Sequence, residues 1–106
     1  MIKKYRILND LKNLLAEKLG SNLKDVILFG SRAYGKPHSD SDYDFLVILK
    51  EIPDWHLRRK ISEYCYEIDL KYEIYVDLHI LSEQEFDTLR GRQPIFQTAI
   101  KEGIYA

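Results

Sequence analysis

The sequence has little of several features that mark common classes of protein. Its 106 residues include one cysteine, Cys65, which excludes an internal disulfide and a cysteine-rich zinc site. The formal net charge is −1, so no basic excess favours stand-alone binding to nucleic acid. The longest apolar run, Phe45 to Leu49, is far too short to span a bilayer, and the N-terminus lacks the apolar stretch of a signal peptide. We therefore expect a cytoplasmic protein with no membrane association.

The composition is typical of a small globular domain. Hydrophobic residues make up 45% and charged residues 31% of the chain, which argues against disorder. A chain of this length forms one hydrophobic core without staples. We expect residues 1–106 to be a single domain.

Apolar spacing predicts a fold of the α/β (α+β) class, with a small mixed sheet of about three strands covered by helices. The second and third strands flank a helix and should be parallel, because a β-α-β unit makes them so. The first two strands must be antiparallel if Ser31 and Asp42 are to meet at one edge. We expect helices over about 3–19, 54–70, 82–90 and 93–103, a helical turn over 31–35, a loop over 36–40, and strands over 25–30, 44–50 and 73–81.

Two acidic residues stand at the start of the second predicted strand. Asp42 and Asp44 are two positions apart, so on an extended chain they point to one face. Adjacent carboxylates repel, and a divalent ion such as Mg²⁺ or Mn²⁺ removes the conflict. Asp77, the acid inside the third strand, is the best candidate for a third ligand and for accepting a proton from an acceptor hydroxyl, ahead of Asp69 and Glu73.

A Gly-Ser turn follows the first predicted strand. Gly30 allows the backbone to approach a ligand closely, and Ser31 begins a helical turn whose N–H groups suit phosphate oxygens. No Gly-Lys-Ser/Thr sequence follows Gly30, so a Walker-type loop is excluded. Together with the carboxylates, this turn predicts a site for a nucleoside triphosphate and two metal ions.

The acidic cluster also has the spacing of a calcium-binding loop. Asp40, Asp42 and Asp44 match its first, third and fifth positions, and Glu51 its twelfth. The sixth position is Phe45, where that loop needs glycine for its sharp turn. The apolar run that follows favours a strand, so we reject the calcium-loop interpretation.

Four single residues have two interpretations each. Asp77 taken alone is either a ligand or an edge-strand charge that discourages aggregation. Arg32 either contacts phosphate or is an exposed helix arginine, and His38 is either near a ligand or a solvated loop residue. His79 shares a face with Asp77, so it either lines the site or is a partly buried strand histidine.

The motif as a whole resembles the signature of the DNA polymerase β-like nucleotidyltransferase superfamily, and the short chain is similar to its minimal bacterial and archaeal members. The family often has arginine where this chain has Tyr34. The residues that carry the resemblance are Gly30, Ser31, Gly35, Ser41, Asp42, Asp44 and the third acid Asp77.

The resemblance implies an Mg²⁺-dependent enzyme that uses two ions, with Mn²⁺ as an alternative, and ATP or another nucleoside triphosphate. Such proteins are often the antitoxin of a pair with a HEPN-domain toxin, and some transfer AMP from ATP to a tyrosine of that toxin. By the match, Asp42, Asp44 and Asp77 are catalytic residues and metal ligands. The nucleotide-binding residues that it implies are Gly30, Ser31, Arg32, Ser41, Asp42 and Asp44.

The acceptor of the nucleotide is left open by the sequence. The catalytic core uses nearly all of the 106 residues, so the acceptor surface should come from another protein or from a second copy of this one. Two other functions remain as alternatives: neutralisation of a toxin by contact without catalysis, and nucleotidyl transfer to a small molecule.

Overall fold

The computed structural model describes residues 3–35 and 42–106. The predicted loop over 36–40, with His38, and the predicted nucleotide-binding residue Ser41 lie outside these residues, as does the side chain of Tyr34. Single-turn 3₁₀ helices at Gly20–Asn22 and Glu83–Glu85 follow the first helix and the third strand. The main elements are α1 (Lys3–Leu19), β1 (Leu23–Phe29), α2 (Ser31–Tyr34), β2 (Tyr43–Leu49), α3 (Trp55–Tyr72), β3 (Val76–Ser82), α4 (Pro94–Glu102) and β4 (Ile104–Tyr105).

The sheet has the order β3-β2-β1-β4. Strands β1 and β2 are antiparallel and β2 and β3 are parallel, which confirms both predicted directions and the mixed sheet. The predicted number of three strands is one too few, because β4 pairs with β1 at Ile27 and Leu28. A two-residue strand has no periodicity of its own, so only its partner reveals it.

The two long helices largely follow the sequence pattern. Helix α1 has the predicted bounds, and Gly20 after it takes a φ of +57°, a conformation that favours glycine. Helix α3 begins after Asp54, whose side chain accepts a hydrogen bond from the amide of Leu57 at 2.8 Å, as a cap does. It extends two residues beyond the predicted end, to Tyr72. Glu73 follows it as the cap residue and has a φ of 54°.

The predicted helix over 82–90 is reduced to one 3₁₀ turn. Its capping box is present, and the Ser82 amide donates to the Glu85 carboxylate at 3.0 Å. The carbonyl oxygen of Glu85 accepts hydrogen bonds from both the amide and the hydroxyl of Thr88. A side chain that competes for a backbone carbonyl disfavours continued helix, and the chain passes through turns to α4.

The sheet is buried on both faces. One face, with Val26, Leu28, Phe45 and Val47, packs against α1 and α3. The other face carries Ile27, Phe29, Leu46, Ile48 and Leu81, which cluster with Phe96 and Ala99 of α4. Because side chains alternate along a strand, Asp44 and Asp77 belong to the face that α4 covers.

Within residues 3–35 and 42–106, no helix has the length and apolar character needed to cross a membrane.

Candidate active site

The parallel pairing of β2 and β3 brings two of the predicted acids together. Asp44 and Asp77 are direct register partners in this pairing. Ligand atoms of Asp44, Asp77 and His79 all lie within 4.8 Å of one another. One backbone relationship therefore creates a cluster that could hold a cation, at the edge of the sheet where β2 and β3 begin.

The Asp44 carboxyl group is in an environment that disfavours its charge. Burial, a hydrogen bond with Asp77 and the charge of Asp77 together raise the pKa of Asp44 to about 6, against the opposing effect of His79. Two carboxylates this close repel each other, so ionising both is unfavourable without a compensating cation. The site therefore has the donor set and the unmet negative charge that suit a hard divalent metal.

His79 is the residue at this site that the sequence left undecided. Its Nε2 atom lies 3.4 Å from Oδ2 of Asp77. That nitrogen is buried and has no hydrogen-bond partner among the residues that the structure describes. The ring also packs against Phe29, with centroids 5.5 Å apart. The structure thus places His79 against the acids, and the two-residue spacing from Asp77 was the signal for it.

Asp42 lies one residue before β2 and is exposed. It does not belong to the group of ligand atoms described above, although its charge contributes to the raised pKa of Asp44. Asp42 is thus within electrostatic reach of the cluster, and its role as a metal ligand stays a prediction.

Gly30 holds the Gly-Ser turn against the acids. It has φ 77° and ψ −161°, and a Cβ atom at this position would overlap the carboxylate of Asp44. Glycine is therefore required both by the backbone conformation and by the space. This contact sets Ser31, which is exposed at the start of α2, beside the acidic cluster.

Arg32 lies at the same edge. Its guanidinium carbon is 4.7 Å from the centroid of the Tyr43 ring, and Tyr43 precedes Asp44 in β2. A cation over an aromatic ring is attracted by the electrons of the ring face. Arg32 is therefore held at this end of the sheet by a ring on the face opposite the acids, and its contact with phosphate stays a prediction.

Asp69, a weaker candidate for the third acid, has a structural position instead. Its side chain accepts a hydrogen bond from the amide of Val76 at 2.8 Å, and its carbonyl oxygen accepts one from Ile74 at 3.1 Å. These bonds join the end of α3 to the start of β3. Glu73, the other weaker candidate, is the left-handed residue that ends α3.

The sequence matches known proteins over most of its length. A sequence model described as a nucleotidyltransferase domain matches residues 8–105. A Methanocaldococcus jannaschii protein, provisionally named a protein adenylyltransferase, is 36% identical over 76 residues, which cover 72% of this chain and 71% of that protein.

Solved structures share the fold. Spectinomycin adenyltransferase of Enterococcus faecalis, solved with ATP and spectinomycin, has a TM-score of 0.65 and 27% identity, over 79% of this chain and 36% of that one. A chain in the complex of tri-AMPylated Shewanella oneidensis HEPN toxin with MNT antitoxin has a TM-score of 0.58 and 19% identity, over 96% of this chain and 70% of that one. The second likeness concerns the fold alone.

Proposed function

This chain belongs to the nucleotidyltransferase domain family, and on that basis we propose that it transfers AMP from ATP to a hydroxyl group of a partner protein. The observation that carries the proposal is the register pairing of Asp44 with Asp77 directly beside the Gly30 turn. We also propose that residues 1–106 act as a single minimal nucleotidyltransferase domain.

The acids are the proposed metal ligands and catalytic residues. Asp42, Asp44 and Asp77 would hold Mg²⁺, with two ions in the full site and Mn²⁺ as an alternative, and His79 lies against the same position. Divalent cations there supply charge that stabilises the polyphosphate and lowers the pKa of an attacking hydroxyl. The raised pKa of Asp44 fits this interpretation, as does the buried His79 nitrogen, which has no hydrogen-bond partner among the described residues.

The Gly30 turn is the proposed phosphate site. Gly30 and Ser31 would bind the triphosphate, with Arg32 and Ser41 as further contacts. The acceptor oxygen forms a bond to the α-phosphorus, the bond between the α-phosphorus and the bridging oxygen breaks, and pyrophosphate leaves. Asp77 is the proposed acceptor of the hydroxyl proton, since it is the more exposed member of the pair.

A groove of about 450 Å³ just before the start of β3 is the proposed binding place of the partner protein. Tyr66, Leu70 and Tyr75 line it and are 59%, 63% and 77% exposed. The carbonyl oxygen of Tyr75 accepts a hydrogen bond from the amide of Tyr43 at 2.8 Å, which ties this surface to the strand that carries Asp44. Exposed aromatic side chains at this density are typical of protein interfaces.

The proposed partner is a HEPN-domain toxin that this chain would neutralise as an antitoxin. The name of the Methanocaldococcus jannaschii relative supports a protein acceptor, and the Shewanella oneidensis complex with its AMP-modified HEPN toxin supports this kind of partner. A second copy of this chain is the other protein that could supply the acceptor surface.

The test is transfer of label from ATP radiolabelled at the α-phosphate to a co-purified HEPN partner in the presence of Mg²⁺. We expect labelled partner with the natural chain and none with Asp44→Asn or Asp77→Asn. Asp87→Asn, at an exposed acid outside the site, is the matched control and should retain transfer. An unlabelled partner under conditions where the metal binds would contradict the proposal.

Two alternatives have distinct outcomes in related assays. If Asp44→Asn still protects cells from the toxin, the chain neutralises its partner by contact. The likeness to spectinomycin adenyltransferase favours a small-molecule acceptor as the second candidate function. Label on an aminocyclitol hydroxyl, produced by this chain alone, would establish that activity.

A further inference from the structure

A groove of about 380 Å³ lies between the end of β1 and one side of α4. It borders the acidic cluster, because Phe29 also packs against His79 and Gly30 lies against the side chain of Asp44. Groove and cluster lie on the same face of the sheet. The residues that line the groove are Phe29, Gly30, Pro94, Ile95, Thr98 and Glu102.

The lining of this groove combines an apolar surface with two hydrogen-bond acceptors. Ile95 is 40% exposed, although it follows the first residue of a well-packed helix. Thr98 and Glu102 are four residues apart on α4, so they lie one above the other on one side of the helix. An apolar wall suits the face of a planar ring, while a hydroxyl and a carboxylate suit N–H groups at its edge.

We propose that this groove binds the base of the nucleotide, and that Glu102 and Thr98 accept hydrogen bonds from its exocyclic amino group. The inference rests on the proposed function, because it requires the phosphates to lie at Gly30 and Ser31. The groove begins at Gly30, so a nucleoside that extends from phosphates held at this turn towards α4 would enter it. Adenine carries an amino group at its edge, whereas in uracil two carbonyl oxygens flank the ring N–H and repel a carboxylate, so Glu102 would select for ATP over UTP.

The groove near Tyr75 is the better place for the acceptor. It lies just before the start of β3 and is flanked by the exposed side chains of Tyr66 and Leu70. The groove at α4 instead begins at the phosphate turn. We therefore assign the groove at α4 to the nucleotide and the groove near Tyr75 to the acceptor.

Calorimetric binding with Mg²⁺ tests the inference, using an ATP analogue and a UTP analogue with non-cleavable α,β bridges, and inorganic tripolyphosphate. Thr98→Trp fills the groove, and we expect it to weaken binding of the ATP analogue about tenfold or more while tripolyphosphate binding is unchanged. Lys101→Trp, at an exposed position of α4 that does not line the groove, is the matched control.

Glu102→Ala tests the amino-group contact without filling the groove. We expect it to weaken binding of the ATP analogue by about tenfold and not to weaken that of the UTP analogue, because only adenine loses a hydrogen bond to a charged acceptor. Glu17→Ala, on α1, is the control for removing one negative charge. Circular dichroism on each variant verifies that α4 remains folded.

The outcomes separate this inference from the proposed function. Unchanged affinity for the ATP analogue in both groove variants overturns the base site, and retained tripolyphosphate binding then leaves the proposed function in place. Loss of partner binding by Thr98→Trp with intact ATP affinity would assign the groove to the acceptor and also overturn the inference. Failure of the natural chain to bind either the ATP analogue or tripolyphosphate would overturn both proposals.

Discussion

Asp44 and Asp77 face each other as register partners on adjacent parallel strands, and a carboxylate oxygen of each lies within 4.8 Å of the other. This arrangement is unfavourable in the absence of a cation, since ionisation of both groups sets two negative charges side by side. The repulsion between the two carboxylates belongs to the proposed site. The stability of the protein should therefore change measurably with pH, with metal and with mutation of either acid.

The first prediction concerns pH. The pKa of Asp44 is raised from 3.8 to about 6, so the folded chain binds this proton more tightly than the unfolded chain. Stability of the metal-free protein from this group therefore falls as pH rises from about 4 to about 6 and is level above that range. Asp44→Asn keeps a neutral side chain at every pH. The difference between its melting temperature and that of the natural chain should therefore shift in favour of the variant as pH rises across the same interval. Asp87→Asn should show no such pH-dependent difference.

The second prediction concerns Gly30. Gly30→Ala meets both an unfavourable φ and the Asp44 carboxylate, so we expect a loss of about 1–3 kcal/mol in unfolding free energy and a loss of transfer activity. Gly20→Ala is the matched control, because Gly20 also has a positive φ but no described residue lies within 4 Å of an added Cβ. Chemical denaturation of both variants measures the difference. Equal losses would show that contact with Asp44 is unimportant.

The third prediction concerns metal binding. At Mg²⁺ one hundred times its dissociation constant, a site of this kind stabilises the fold by about 2.7 kcal/mol. We expect Asp77→Asn to abolish this gain in melting temperature, because it removes a carboxylate from the cluster. A variant that retains the full Mg²⁺-dependent gain would place the ion elsewhere.

The fourth prediction separates the role of His79. We expect His79→Ala to raise the Mn²⁺ concentration at half-saturation about tenfold, and that of Mg²⁺ by less, because imidazole is a poorer ligand for Mg²⁺. His56, an exposed histidine on α3, provides the control His56→Ala. Identical shifts for the two metals would indicate that His79 only orients Asp77.

The fifth prediction distinguishes two acids that the sequence ranks differently. Asp69→Ala removes the acceptor for the Val76 amide, so we expect a loss of about 1 kcal/mol in stability with the response to Mg²⁺ retained. Asp42→Asn, at an exposed position, should leave stability unchanged and abolish transfer. If Asp69→Ala instead abolished transfer at unchanged stability and Asp42→Asn lowered stability, Asp69 would be the functional acid and Asp42 the structural one.

Strand directions and the meeting of Asp44 with Asp77 could be predicted because they depend on local patterns. The helix between β2 and β3 makes those strands parallel, and β1 and β2 had to be antiparallel for Ser31 and Asp42 to meet at one edge. The approach of Gly30 to Asp44 also agrees with the Gly-Ser turn of the motif.

Other features depend on contacts that the sequence does not express. Strand β4 is defined by its pairing with β1. A hydrogen bond from the Thr88 hydroxyl to a backbone carbonyl disfavours the helix predicted after Ser82. The position of His79 was undecided because a strand histidine two residues from an acid is equally compatible with a core or with a site. Its burial and its distance from Asp77 are properties of the folded sheet.

The order of the sheet gives the two paired acids unequal backbones. Asp44 belongs to β2, which is hydrogen-bonded to strands on both sides, whereas Asp77 belongs to β3 at the edge. Amide hydrogens of an edge strand open to solvent with less free energy than those of a central strand. In a hydrogen-exchange experiment, deuterium should therefore enter β3 before β2. The backbone that carries Asp77 should then move more readily than the backbone that carries Asp44.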